Sequence, residues 1–203
     1  MKKTMIKELP VYEAKIDMYD DNLGMFMISL VDYPAVEKDF IAFADEKKIM
    51  TYKVTNHEEQ KVFGLVMAAD KPIYRIDETG YEYYITYSKE TIALMTEKYF
   101  KNGFQNNVDT NHNFKLEDGI TLTQMFIKNT DKGINPTDFE DVKDGSLFAE
   151  FHIENPDVWN CIKDGSYKGF SLAGCFNVVE KPAEEEQLFN EIMEMLDKII
   201  KTK

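Results

Sequence analysis

The chain has 203 residues, 43% of them apolar and 13% aromatic, which is enough to fill one sizeable core. Its formal net charge of −13 argues against the clustered Lys and Arg that phosphate-backbone binding requires, so neither nucleic acid nor an anionic membrane is an expected partner. Two cysteines, Cys161 and Cys175, form no CxxC pair, which leaves no zinc knuckle or disulfide framework and predicts reduced thiols.

In chain order, "MKKTMIKELPVYEAKID" starts basic but turns polar before any apolar run of signal-peptide length. No later run approaches the roughly 18 residues of a membrane span, so a soluble protein made without export is predicted. One strand, at most two, precedes the main body: "GMFMISLVDYPA" is rich in strand formers from Met25 to Val31 and is stopped at Tyr33-Pro34. Strand-like runs then follow at "KVFGLVMAAD", "YEYYITYS", "NNVDTNH", "GITLTQMFIKN" and "SLFAEFHI", divided by loops rich in Asn, Asp and Gly. Two helices interrupt them. "SKETIALMTEKYFKNG" has Ser88 as N-cap and Gly103 as stop, and "NPDVWNCIKDG" has Asn155 as N-cap, Pro156 in the first turn and Gly165 as stop. A terminal helix over 183–203 carries Leu188, Ile192, Met195, Leu196, Ile199 and Ile200 on one face, to pack on the domain or to meet a partner.

The second of these helices leads into "DGSYKGFSLAGCF", where Gly169, Ser171, Ala173 and Gly174 crowd small residues into a strand. Small residues weaken a strand unless something approaches its backbone closely, which makes Ser171 a candidate reactive group. A serine hydroxyl is a poor nucleophile until a positioned base takes its proton, and histidine titrates in the right range. Of the three histidines, His112 ends "NNVDTNH", where alternation places it on one strand face with Val108 and Thr110. His57 in "TNHEEQK" is expected at the surface, and Cys175 is expected to be a buried thiol rather than a rival nucleophile. Phe148, Phe151, Trp159 and Phe170 are expected in the core or, less so, as cleft walls. "NPTDFEDVKDG" lacks calcium-loop spacing and reads as a solvated charged loop.

The segments "VYEAKID", "GMFMISLVDYPAVEKDFIAF", "IYRIDETGYEYYITYSKETI", "NNVDTNH" and "VWNCIKDGSYKGFSLAGCF" together resemble the prohead serine proteases of tailed phages and prophages, which are related in fold to the herpesvirus assemblins. The resemblance extends to about residue 182. It implies a mainly antiparallel β-barrel flanked by helices, an α+β fold over residues 1–182. It also implies a catalytic pair of His112 and Ser171, with no cofactor and no metal. The implied activity is endopeptidase cleavage of scaffold and major capsid proteins inside the procapsid in the host cytoplasm, with a homodimer possible. In such proteases a segment like "EVSLVxxPA" follows the serine strand and its Glu is a candidate third catalytic member. Here "MISLVDYPA" comes first and Met27 stands in place of the Glu, so residues 1–45 look like a circularly permuted strand segment packed in the same barrel. A thioether cannot orient an imidazole. On "SLFAEFHI", Glu150 and His152 share a face and are the candidates for the vacant role, Glu150 ahead, with Asp109 and Asp32 behind them and a plain polar strand face as the bland reading. The competing hypothesis is a catalytically inactive capsid-assembly or scaffolding protein with the same fold. An unrelated esterase is disfavoured, since Ser171 enters a strand and not a strand-turn-helix elbow.

Overall fold

A computed structural model describes residues 9–34, 52–56 and 59–181. The fold is mixed α+β. The described residues form eleven strands and two α-helices. In order they are β1 (Val11–Lys15), β2 (Gly24–Val31), β3 (Tyr52–Asn56), β4 (Lys61–Met67), β5 (Ile73–Ile76), β6 (Glu82–Thr86), α1 (Lys89–Lys101), β7 (Val108–Thr110), β8 (Ile120–Ile127), β9 (Leu147–Ile153), α2 (Pro156–Lys163), β10 (Gly169–Cys175) and β11 (Asn177–Glu180). Among them no helix is long and apolar enough to cross a membrane. The expected terminal helix over 183–203, and His57, lie outside the described residues.

Both helices start where their capping residues dictate. Ser88 accepts a hydrogen bond from the Thr91 amide, and Asn155 accepts from the amides of Asp157 and Val158 with Pro156 at the first helical position. α1 turns Ile92, Met95 and Tyr99 inward and packs against β2; α2 buries Val158, Trp159 and Ile162.

The strands do not close into one antiparallel barrel. They form three hydrogen-bonded sheets of order β11-β1-β6-β5, β10-β2-β7 and β3-β4-β9-β8, and two pairings, β1 with β6 and β2 with β7, are parallel. Register shifts at Val54/Asn56, Leu65/Met67, Leu122/Gln124 and Ala173/Gly174 mark irregularities within these sheets. Apolar packing joins the sheets instead. Ala14 of β1, Ile28 and Leu30 of β2, Val62 of β4, Phe151 of β9 and Phe170 of β10 belong to a single buried cluster. Phe148, Phe151, Trp159 and Phe170 are all core residues. Phe148 lies in a smaller second cluster with Leu65, Ala68, Phe139 and Val142.

The middle sheet positions the site. β2 lies at its centre, antiparallel to β10 and parallel to β7, so the Met25–Val31 run is the immediate neighbour of the Ser171 strand. Gly174 serves this pairing: an added Cβ would stand 2.7 Å from the Gly24 carbonyl oxygen and 2.5 Å from the Phe176 ring. The small residue therefore makes room for the protein's own backbone at the bulge.

Candidate functional site

Three facing residues of the middle sheet generate the site. In register, Ser171 of β10 pairs with Ser29 of β2, and Ser29 pairs with Asp109 of β7. Directly paired residues project from the same face of a sheet, so a row Ser171, Ser29, Asp109 crosses the three strands.

His112 completes the row from a turn, not from a strand. β7 ends at Thr110, and Asn111, His112 and Phe114 all take left-handed backbone conformations, with φ of 50°, 54° and 57°. Asn tolerates this region, whereas for His and Phe it costs on the order of 1 kcal/mol or more each. The surroundings enforce it. The Asn111 amide donates to the Leu30 carbonyl, the Asp32 amide donates to Asn111 Oδ1, and the Phe114 amide donates to Asp109 Oδ2 at 2.8 Å. The strained turn swings the imidazole back over the sheet.

There the ring joins two serines. His112 Nε2 lies 2.9 Å from Ser171 Oγ, and His112 Nδ1 lies 2.9 Å from Ser29 Oγ. Ser29 is fully buried, while His112 and Ser171 are half-buried and reach the surface. For Nε2 to accept the Ser171 proton, the neutral ring must carry its own proton on Nδ1, where Ser29 Oγ is the acceptor. In that tautomer Ser29 Oγ accepts from Nδ1 and leaves Nε2 free to take the Ser171 proton.

Burial holds the His112 pKa below its ordinary value of 6.5; the Asp109 carboxylate opposes this, and the positive charge of Arg75 reinforces it. Asp109 is wholly buried, and its Oδ1 has no hydrogen-bond partner. A lowered pKa keeps the imidazole neutral, and able to accept a proton, further into acid. The acid limb of kcat/KM is therefore expected at a midpoint below 6.5. In Asp109→Asn the limb should move further down, because the field favouring the imidazolium is gone; a pH profile of peptide hydrolysis for the two chains checks both statements.

Glu150 and His152 are placed elsewhere. Both belong to β9 in the β3-β4-β9-β8 sheet, where the Glu150 carboxylate accepts from Thr123 Oγ1 at 2.9 Å and His152 pairs with Lys61 and Thr121. The distal nitrogen of His112 faces Ser29 instead, so neither residue stands where a third catalytic member was expected. Cys175, expected to be buried, is exposed at the end of β10. Met27, in place of the Glu of the resembling proteases, is buried opposite Ala173. Ser29 was overlooked in the sequence although it is the one hydroxyl in the apolar run "MFMISLV".

A cleft of about 540 Å³ opens over the pair, lined by Tyr33, Tyr74, Arg75, Ile76, Leu172 and the two residues themselves. Its two walls are β5 and β10, each the edge strand of its sheet. An edge strand offers unpaired backbone groups to an extended peptide.

No curated protein and no solved structure matches the chain. A family model does match, over residues 47–180, a span that contains His112 and Ser171 and begins after Ser29. By that match the chain belongs to the family described as "Putative phage serine protease XkdF".

Proposed function

We propose that the chain is a serine endopeptidase of phage head maturation, cutting scaffold and major capsid proteins inside the procapsid. The observation that carries this reading is the unbroken hydrogen-bonded row Ser29–His112–Ser171, open to a cleft at its Ser171 end. Ser171 Oγ attacks the scissile carbonyl carbon as its proton passes to His112 Nε2. The new C–O bond gives a tetrahedral oxyanion, for which backbone amides beside the serine strand are the natural donors. Collapse breaks the C–N bond, and the imidazolium gives its proton to the leaving amine. Water, deprotonated by the same ring, then releases the acyl group. On this reading β2 is the strand that typical prohead proteases carry after the serine, permuted to the front of the chain.

Ser29 replaces a carboxylate in the orienting role. A neutral hydroxyl fixes the ring without countering the imidazolium charge, and Asp109 supplies a negative field from the neighbouring strand. Ser29→Ala should therefore reduce kcat by about 10²-fold through a loosened imidazole, with KM nearly unchanged. Ser29→Thr, which keeps a hydroxyl, should recover part of the loss if the buried site admits the extra methyl. Steady-state hydrolysis of one peptide by the three chains reads this directly.

The proposal is tested by incubating the chain with the scaffold and capsid proteins of its own phage and sequencing the new termini. Discrete cleavage by wild type and none by Ser171→Ala is expected. Intact scaffold with the wild-type chain under assembly conditions would instead favour an inactive assembly protein of the same fold.

A further inference from the structure

The sequence contains one arginine, Arg75, among 24 basic residues. It stands on β5, half-buried, and lines the cleft beside His112 and Ser171. Among the described residues no carboxylate lies within ion-pair distance of its guanidinium; the one hydrogen bond it makes runs from Nη1 to the Tyr74 carbonyl at 3.0 Å, back to its own strand. This tether fixes the fork while leaving most of its five N–H groups unused. Half-buried and facing the cleft with no described carboxylate beside it, Arg75 is placed to meet one carried in by a bound molecule.

The chemistry that suits it is a carboxylate. A guanidinium binds one through two parallel hydrogen bonds, more strongly and with more directionality than it binds a neutral amide. An extended peptide lying along the β10 edge with its scissile carbonyl at Ser171 would place a neighbouring side chain against the β5 wall. We propose, building on the endopeptidase reading, that Arg75 is the specificity determinant of the cleft and takes the side-chain carboxylate of an aspartate or glutamate flanking the scissile bond. Tyr74 and Tyr33 border the same cleft and supply apolar surface for the adjoining residues of the peptide.

The test separates recognition from catalysis. A random peptide library is selected for binding on the Ser171→Ala chain, which holds peptides without cutting them, and in parallel is digested by the wild-type chain. Bound peptides should be enriched in Asp and Glu at one position, with a Glu peptide held about 10- to 100-fold better than its Gln counterpart. Adding Arg75→Gln should erase that ratio, and adding Arg75→Glu should turn the preference toward Lys and Arg. Equal binding of Glu and Gln peptides, or an acidic preference that survives Arg75→Gln, overturns the proposal. So does a loss of hydrolysis in Arg75→Gln that is the same for every peptide at a pH where His112 is neutral in both chains, since Arg75 would then serve the reacting carbonyl and not a side chain. Acidic selection by binding with no digestion by wild type would leave the recognition intact and remove the endopeptidase reading instead.

Discussion

Ser171→Ala is expected to lose peptide hydrolysis by about 10⁶-fold, the scale seen when a hydrolase loses its nucleophile and keeps its binding surface. The substitution removes one oxygen from a half-buried position, so little packing is disturbed, and the backbone pairing of β10 with β2 does not involve the side chain. The melting temperature should stay close to that of wild type. His112→Ala should cost a similar factor, because the serine without its base is an ordinary alcohol, and the double variant should be no worse than either alone. That non-additivity separates a cooperating pair from two residues that act independently.

The largest expected loss of stability comes from Phe151→Ala, at about 3–5 kcal/mol. Phe151 is fully buried on β9, pairs with Val62 on one side and Leu122 on the other, and meets the Phe170 ring at a centroid distance of 5.2 Å. Phe170 immediately precedes Ser171 on β10, so the cavity left by the missing ring lies beneath the nucleophile. Denaturant unfolding should show a lower midpoint with an unchanged slope, and the folded fraction should turn over more slowly than wild type. An unfolding free energy within about 1 kcal/mol of wild type would mean that the sheets are not held together through this contact.

Features that depend on neighbours in sequence were legible. The caps of α1 and α2 needed only Ser88, Asn155 and Pro156, and the crowding of small residues around Ser171 announced an unusual strand. Features set by register or by irregular backbone were not. Alternation put His112 on a strand face, whereas two consecutive left-handed residues, Asn111 and His112, end the strand and turn the ring inward. Met27 drew attention as the missing acid, yet the residue that touches the ring is Ser29, two positions on, and only the pairing of β2 with both β10 and β7 shows this. Glu150 and His152 were sound candidates by alternation on β9, but sheet membership cannot be read from a single strand. β5, with only four residues after Pro72, gives too short a pattern to be found in the sequence, so nothing there places Arg75 at the cleft.

Activation of Ser171 by His112 is read without any peptide by a fluorophosphonate, which reacts with an activated serine regardless of peptide sequence. Incubation followed by peptide mapping should find one adduct per chain, on Ser171, with its rate falling on the acid side along the His112 titration and vanishing in His112→Ala. An unmodified wild-type chain, or an adduct on any other residue, would contradict the account.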